Sequence, residues 1–163
     1  MSQSVRQNIL QALQALYTSV EAGQPVDNPY TLRWSDVTRL PVKQMRPGAR
    51  SLIGIYATQE NKTSMVGPTV TVSMDCVLEM HINKDTGENL ADMLETALSE
   101  SERRLMEDQT LGGLCLDINV RQTETDVGGF FANVGSASLF FTVLYRHHRD
   151  DPARNPADSG QDQ

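Results

Sequence analysis

Residues 69–82 read TVTVSMDCVLEMHI, and apolar side chains fall on every second position: Val70, Val72, Met74, Cys76, Leu78, Met80 and Ile82. Thr69, Thr71, Ser73, Asp75, Glu79 and His81 lie between them, with Val77 the one apolar interruption. Successive side chains of a strand point to opposite faces, so this period puts seven apolar groups on one side and polar groups on the other. A helix would scatter the same residues around its circumference. The pattern predicts a long strand over Pro68 to Ile82, buried on one face, in the middle of an antiparallel sheet.

The other elements are placed around that strand. Ser4 to Ala22 predicts an amphipathic helix, because Val5, Ile9, Ala12, Leu13, Leu16, Tyr17 and Val20 recur at steps of three and four. Ser2 or Ser4 can cap its start, and Gly23 with Pro25 ends it. Ser51 to Ala57 is rich in strand formers and reads as a first strand. Thr58 to Gly67 is polar and reads as the mobile tip of a hairpin.

A second helix is expected from about Glu88 to Glu107, with Asp85 in the cap role and Leu90, Met93, Leu94, Ala97, Leu98 and Leu105 on its apolar side. Gln109 to Gly113 breaks it. Leu114 to Thr125 predicts a third strand with Leu114, Leu116, Ile118 and Val120 on one face. Gly128-Gly129 reads as a hairpin turn, and Val134 to His147 as the last strand, with Ala137, Leu139, Phe141, Val143 and Tyr145 as its core set.

The expectation is an αββαββ chain, an α+β fold with four antiparallel strands and two helices on one face. Residues 1–148 form a single domain with a long basic loop at 24–50, and 149–163, which have no apolar residue larger than alanine, form a disordered tail. The net charge of −7 argues against general nucleic-acid binding. No apolar run reaches the roughly 18 residues of a membrane span. The first ten residues lack the apolar stretch of a signal peptide. A protein made in a reducing cytosol fits its two unpaired cysteines.

Catalytic constellations are not found. Cys76 and Cys115 have no C-x-x-C spacing, and Cys76 belongs to the apolar face. His147 and His148 are adjacent on a strand and point opposite ways, so they cannot share a metal. Asp75 and His81 are roughly 20 Å apart along theirs. No catalytic residue, metal site or cofactor is expected.

Charge is distributed unevenly instead. Residues 31–50 hold Arg33, Arg39, Lys43, Arg46 and Arg50 against Asp36, a local net of +4, and include the only tryptophan, Trp34. Trp and Arg are enriched at interfaces. Residues 86–108 carry seven acids, among them Glu95, Glu102 and Asp108, against two arginines, a local net of −5.

The order of elements resembles that of phage tail terminator proteins of the minor tail protein U type and related tail completion proteins. The resemblance rests on Arg39-Leu40-Pro41 ahead of a strand ending Ile55-Tyr56, on the acidic helix ending Asp108-Gln109-Thr110-Leu111-Gly112-Gly113-Leu114, and on Phe141-Thr142-Val143-Leu144-Tyr145 closing the last strand. It covers about residues 4–147, with a longer separation of Leu40-Pro41 from Ile55-Tyr56 than the pattern has.

It implies a non-enzymatic virion protein, made in the host cytoplasm. Such a protein caps the head-proximal end of the tail tube as a ring, taken as a hexamer, stops polymerisation and allows head attachment. Its partners would be further copies of itself, the tube protein and a head completion or connector protein, with no nucleic-acid sequence recognition and no membrane. A ring needs two different, complementary surfaces on each subunit. The expected interface joins Arg33, Trp34, Arg39, Lys43, Arg46 and Arg50 to Glu95, Glu102 and Asp108 of a neighbour; the same basic segment could instead pack on its own helix. Two other readings stand beside it: a ligand- or cation-binding regulator using Asp75, Glu79 and His81, and an unrelated oligomeric scaffold with Phe140 and Leu144 as its patch.

Overall fold

A computed structural model of the chain describes residues 3–18, 33–42, 48–85, 87–127 and 133–156. Its elements are α1 (Val5–Thr18), β1 (Asp36–Thr38), β2 (Ser51–Val66), β3 (Thr69–Asn83), α2 (Leu90–Met106), β4 (Asp117–Asp126) and β5 (Val134–His148). The strands form one sheet in the order β1-β2-β3-β5-β4. β3 sits at its centre, and all seven alternating apolar residues are 2% exposed or less.

Register carries the same alternation across the sheet. Met80 opposes Ala137, Leu78 opposes Leu139, Cys76 opposes Phe141 and Met74 opposes Val143. Ile53 and Ile55 continue these rows on β2, and Ile118 and Val120 on β4. Both helices cover this face. α1 contributes Val5, Ile9, Leu13 and Tyr17, and α2 contributes Leu90, Leu94, Ala97, Leu98 and Leu105. α1 lies toward β1 and β2, and α2 toward β3, β5 and β4. The Tyr17 hydroxyl donates to the Ser101 carbonyl at 2.7 Å, and Ser101 Oγ donates to Met80 Sδ at 3.2 Å. These two bonds tie helix to helix to central strand.

The sheet differs from expectation in being five-stranded and mixed. β1 is an additional strand that pairs parallel to β2 through Asp36, Val37 and Thr38. The segment expected as a polar hairpin tip is also strand: β2 runs unbroken in pairing to Val66, with bulges near Thr58 and Thr63, and only Gly67 and Pro68 make the turn. β4 begins at Asp117, so Leu114 and Leu116 precede it and Leu116 is exposed. The N-cap of α2 is Asn89, whose Oδ1 accepts from the Ala91 and Asp92 amides, one turn after the expected Asp85.

Ser4 and Gln7 form a reciprocal cap on α1: Ser4 Oγ accepts from the Gln7 amide at 3.2 Å, and Gln7 Oε1 accepts from the Ser4 amide at 2.9 Å. The stretch expected as a free tail begins bonded to the domain. Arg149 N–H donates to Pro68 O, the Pro152 carbonyl accepts from Val5 N–H, and Arg154 O accepts from His148 N–H. The end of the first helix at Gly23 and Pro25, the Gly128-Gly129 turn and residues 157–163 lie outside the described residues.

Candidate assembly surface

The charged residues singled out in the sequence divide into those satisfied within the chain and those left exposed. Arg50 belongs to the first group. Its Nη2 donates to both oxygens of Glu88, at 2.9 and 3.0 Å, and lies 2.9 Å from Asp85 Oδ2. Glu88 also accepts the Asp85 amide at 2.7 Å. That amide first, and the Arg50 guanidinium second, hold the Glu88 carboxyl below the usual carboxylate range. The end of the basic segment is therefore fastened in cis to the turn leading into the acidic helix.

Asp108 is also engaged locally. Its Oδ1 accepts from the hydroxyl and amide of Thr110 at 2.7 and 3.0 Å, and Oδ2 accepts from the Gly112 amide at 2.7 Å. The Thr110 hydroxyl first, and these amides next, lower its pKa. The carboxylate organises a turn in which Leu111, Gly112 and Gly113 all take positive φ, at 49°, 69° and 90°. A leucine there is strained, and its side chain packs on the core.

Trp34 is half-buried against the core cluster. Arg33 and Arg39 are exposed and make no ion pair with a described residue; so are Glu95 and Glu102 on α2. Lys43 and Arg46 lie outside the described residues.

The polar face of β3 is built into the fold. Glu79 Oε1 lies 2.8 Å from His81 Nε2, while its Oε2 accepts from the Val42 amide at 3.2 Å and from the Tyr56 hydroxyl at 3.4 Å. Burial first, and the Glu79 charge second, raise the Tyr56 pKa. Asp75 accepts from Thr142 Oγ1 at 3.1 Å and lies 3.6 Å from Arg121. Glu79 thus pins residues 39–42 across the sheet beside Gly54. Among the described residues no three His, Cys, Asp or Glu converge as a metal site would need, and no helix is long and apolar enough to cross a membrane.

Sequence reasoning missed a shallow groove of about 770 Å³ between α1, β1 and β2, lined by Arg6, Leu10, Val37, Arg39, Leu40 and Tyr56 among others. β1 is three residues long, too short to show a period. Arg6 at one side pairs with Glu60 at 3.3 Å, and Glu60 accepts from the buried Tyr145 hydroxyl at 2.8 Å. Leu40 stands 70% exposed at the groove.

No known family profile matches the chain, and no curated protein does. Among solved structures, the chain is similar to the sheath/tube terminator of an extracellular contractile injection system, PVC, in its extended state. Identity is 10% and the TM-score 0.44. The match covers 96% of this chain and 61% of the other, so the chain spans about three fifths of that protein's length. A likeness of that size assigns no function by itself.

Proposed function

We propose that this chain is a structural protein of the tail terminator kind, similar to minor tail protein U, that closes the head-proximal end of a tail tube as a ring. The observation that supports this reading most is the difference between the two sides of the molecule. One side, at α1 and β1, exposes Arg39 in a partly apolar groove and Arg33 ahead of the other end of β1. The other, at α2 and β4, exposes Glu95, Glu102, Glu124 and Asp126. Cyclic rings use head-to-tail contacts between two unlike patches of each subunit, and complementary charge fixes their orientation.

In this reading the ring is a hexamer, its partners are the tube protein and a head-side connector, and it resides in the virion after synthesis in the host cytoplasm. The acidic partner of Arg33 and Arg39 includes Glu95 and Glu102 of the neighbour, whereas Arg50 and Asp108 serve their own subunit. The test is negative-stain microscopy of the purified chain mixed with tubes polymerised from a tail tube subunit. Capped tubes of fixed length are expected with the parent, and uncapped ones with the Arg33→Glu, Arg39→Glu double variant. Tubes that grow unchecked beside the parent would sink the reading.

A further inference from the structure

Among the described residues, two edge stretches of the sheet pair with no further strand. Beyond Gly54, where β1 stops, the outer side of β2 from Ile55 to Val66 pairs with no described strand. That stretch is long enough to take the whole of β4, the opposite edge, which is ten residues long. Unpaired edges are templates for strand addition, and proteins usually blunt them with lysine, proline or a covering segment. β4 has neither lysine nor proline, and the β2 stretch has a single lysine, Lys62, and no proline.

Strand direction makes the two edges compatible. β2 is antiparallel to β3, β3 to β5, and β5 to β4, so β2 and β4 run opposite ways in one sheet. A second copy set alongside with its helices on the same side therefore offers its β2 antiparallel to β4. In that pairing the end of β4 meets the base of the neighbour's β2, and the start of β4 meets its tip.

The exposed apolar residues match those ends. Five large hydrophobic side chains are exposed among the described residues: Leu40 at 70%, Met65 at 59%, Val66 at 75%, Leu116 at 43% and Val127 at 54%. Leu40 sits at the base of the β2 edge, and Met65 and Val66 at its tip; Val127 follows β4, and Leu116 precedes it. Antiparallel addition brings Val127 to Leu40 and Leu116 to Met65 and Val66. Charge agrees at the base, where Glu124 and Asp126 approach Arg39 beside the groove.

We propose that copies of this chain join by β4 of one adding antiparallel to the free outer edge of β2 in the next, with Val127 and Asp126 seated at the Leu40–Arg39 groove. The proposal rests on the ring reading and specifies its contact. The sheets continue from copy to copy, the helices stay on one side, and the polar face of β3 and β5 stays on the other.

Three variants test it in sedimentation equilibrium, with amide hydrogen exchange on the same samples. The parent should self-associate with rising concentration, and exchange at 117–126 and 57–66 should slow as it does. Arg39→Glu should weaken association at least tenfold, and so should the Glu124→Lys, Asp126→Lys double variant. Mixing the two restores association, because each supplies the edge that the other has reversed. Glu95→Lys with Glu102→Lys should have a smaller effect. Association without slowed exchange at 117–126, or a mixture that stays monomeric, would overturn the strand contact. Tubes capped as well by the Glu124→Lys, Asp126→Lys protein as by the parent would overturn it while leaving the terminator reading standing. A parent that never associates, alone or on tube ends, overturns both.

Discussion

A Cβ placed on Gly135 would come 2.8 Å from Leu94 Cδ1 and 3.1 Å from Leu90, so α2 lies as close to β5 as that glycine allows. Gly135→Val should therefore push α2 off the sheet and cost about 1–3 kcal/mol, read from urea unfolding. The thiols belong to the same packed interior. Burial first, and the neighbouring Asp75 next, push Cys76 up to about 12; burial first, and Asp108 next, do the same to Cys115. Neither should react with an alkylating reagent at about pH 8 in the native protein, and both should react in denaturant, as mass spectrometry would count. Asp108 gives a pH dependence. Its pKa is lowered in the folded chain, so its contribution is present above the ordinary carboxylate range and is lost as pH falls through the lowered value. The drop in Tm between about pH 6 and about pH 3 should be shallower in Asp108→Ala than in the parent.

Elements with one buried face were legible, and elements without one were not. β3 and β5 alternate because the helices cover one side of both, and every core residue assigned to them is buried. The outer half of β2 reads QENKTSMV and is exposed on both faces, so no alternation marks it; its strand character comes from the ladder with β3. β1 is fixed by register to Leu52, Ile53 and Gly54 rather than by its own three residues. The cap of α2 shows a subtler failure. Glu88 does accept from the Asp85 amide as the spacing suggests, but the Glu88 amide donates to the Asp85 backbone carbonyl rather than its side chain, and the helix starts after them at Asn89. Asn89→Ala should then cost about 1 kcal/mol, while Asp85→Ala, which leaves the Asn89 cap intact, should cost less. The positive and negative segments were visible in sequence. What sequence could not give was their division, with Arg50 tied to Glu88 in cis and Arg39 left outward.

At the scale of the whole molecule, the proposed contact and the fold draw on different residues, so they can be separated by mutation. The core is one cluster that includes no residue from the outer half of β2 beyond Ala57 and only Ile118 and Val120 from β4. Leu40 and Val127 stand outside it, and exposed side chains away from caps and ion pairs change stability by no more than about 0.5 kcal/mol when replaced. A Leu40→Ser, Val127→Ser double variant should thus unfold at the parent's urea midpoint. In the proposed contact the same two residues meet across copies, where losing a buried leucine and valine forfeits about 1.5–3 kcal/mol each. Association should therefore fall by at least tenfold with stability unchanged. Salt gives a second separation, because charge at the groove steers encounter more than it holds the complex. Raising ionic strength from about 0.05 M to about 0.5 M should slow association, as stopped-flow light scattering would measure, and leave dissociation nearly constant. A double serine variant that assembles like the parent would mean that the exposed hydrophobic residues serve some surface other than this one.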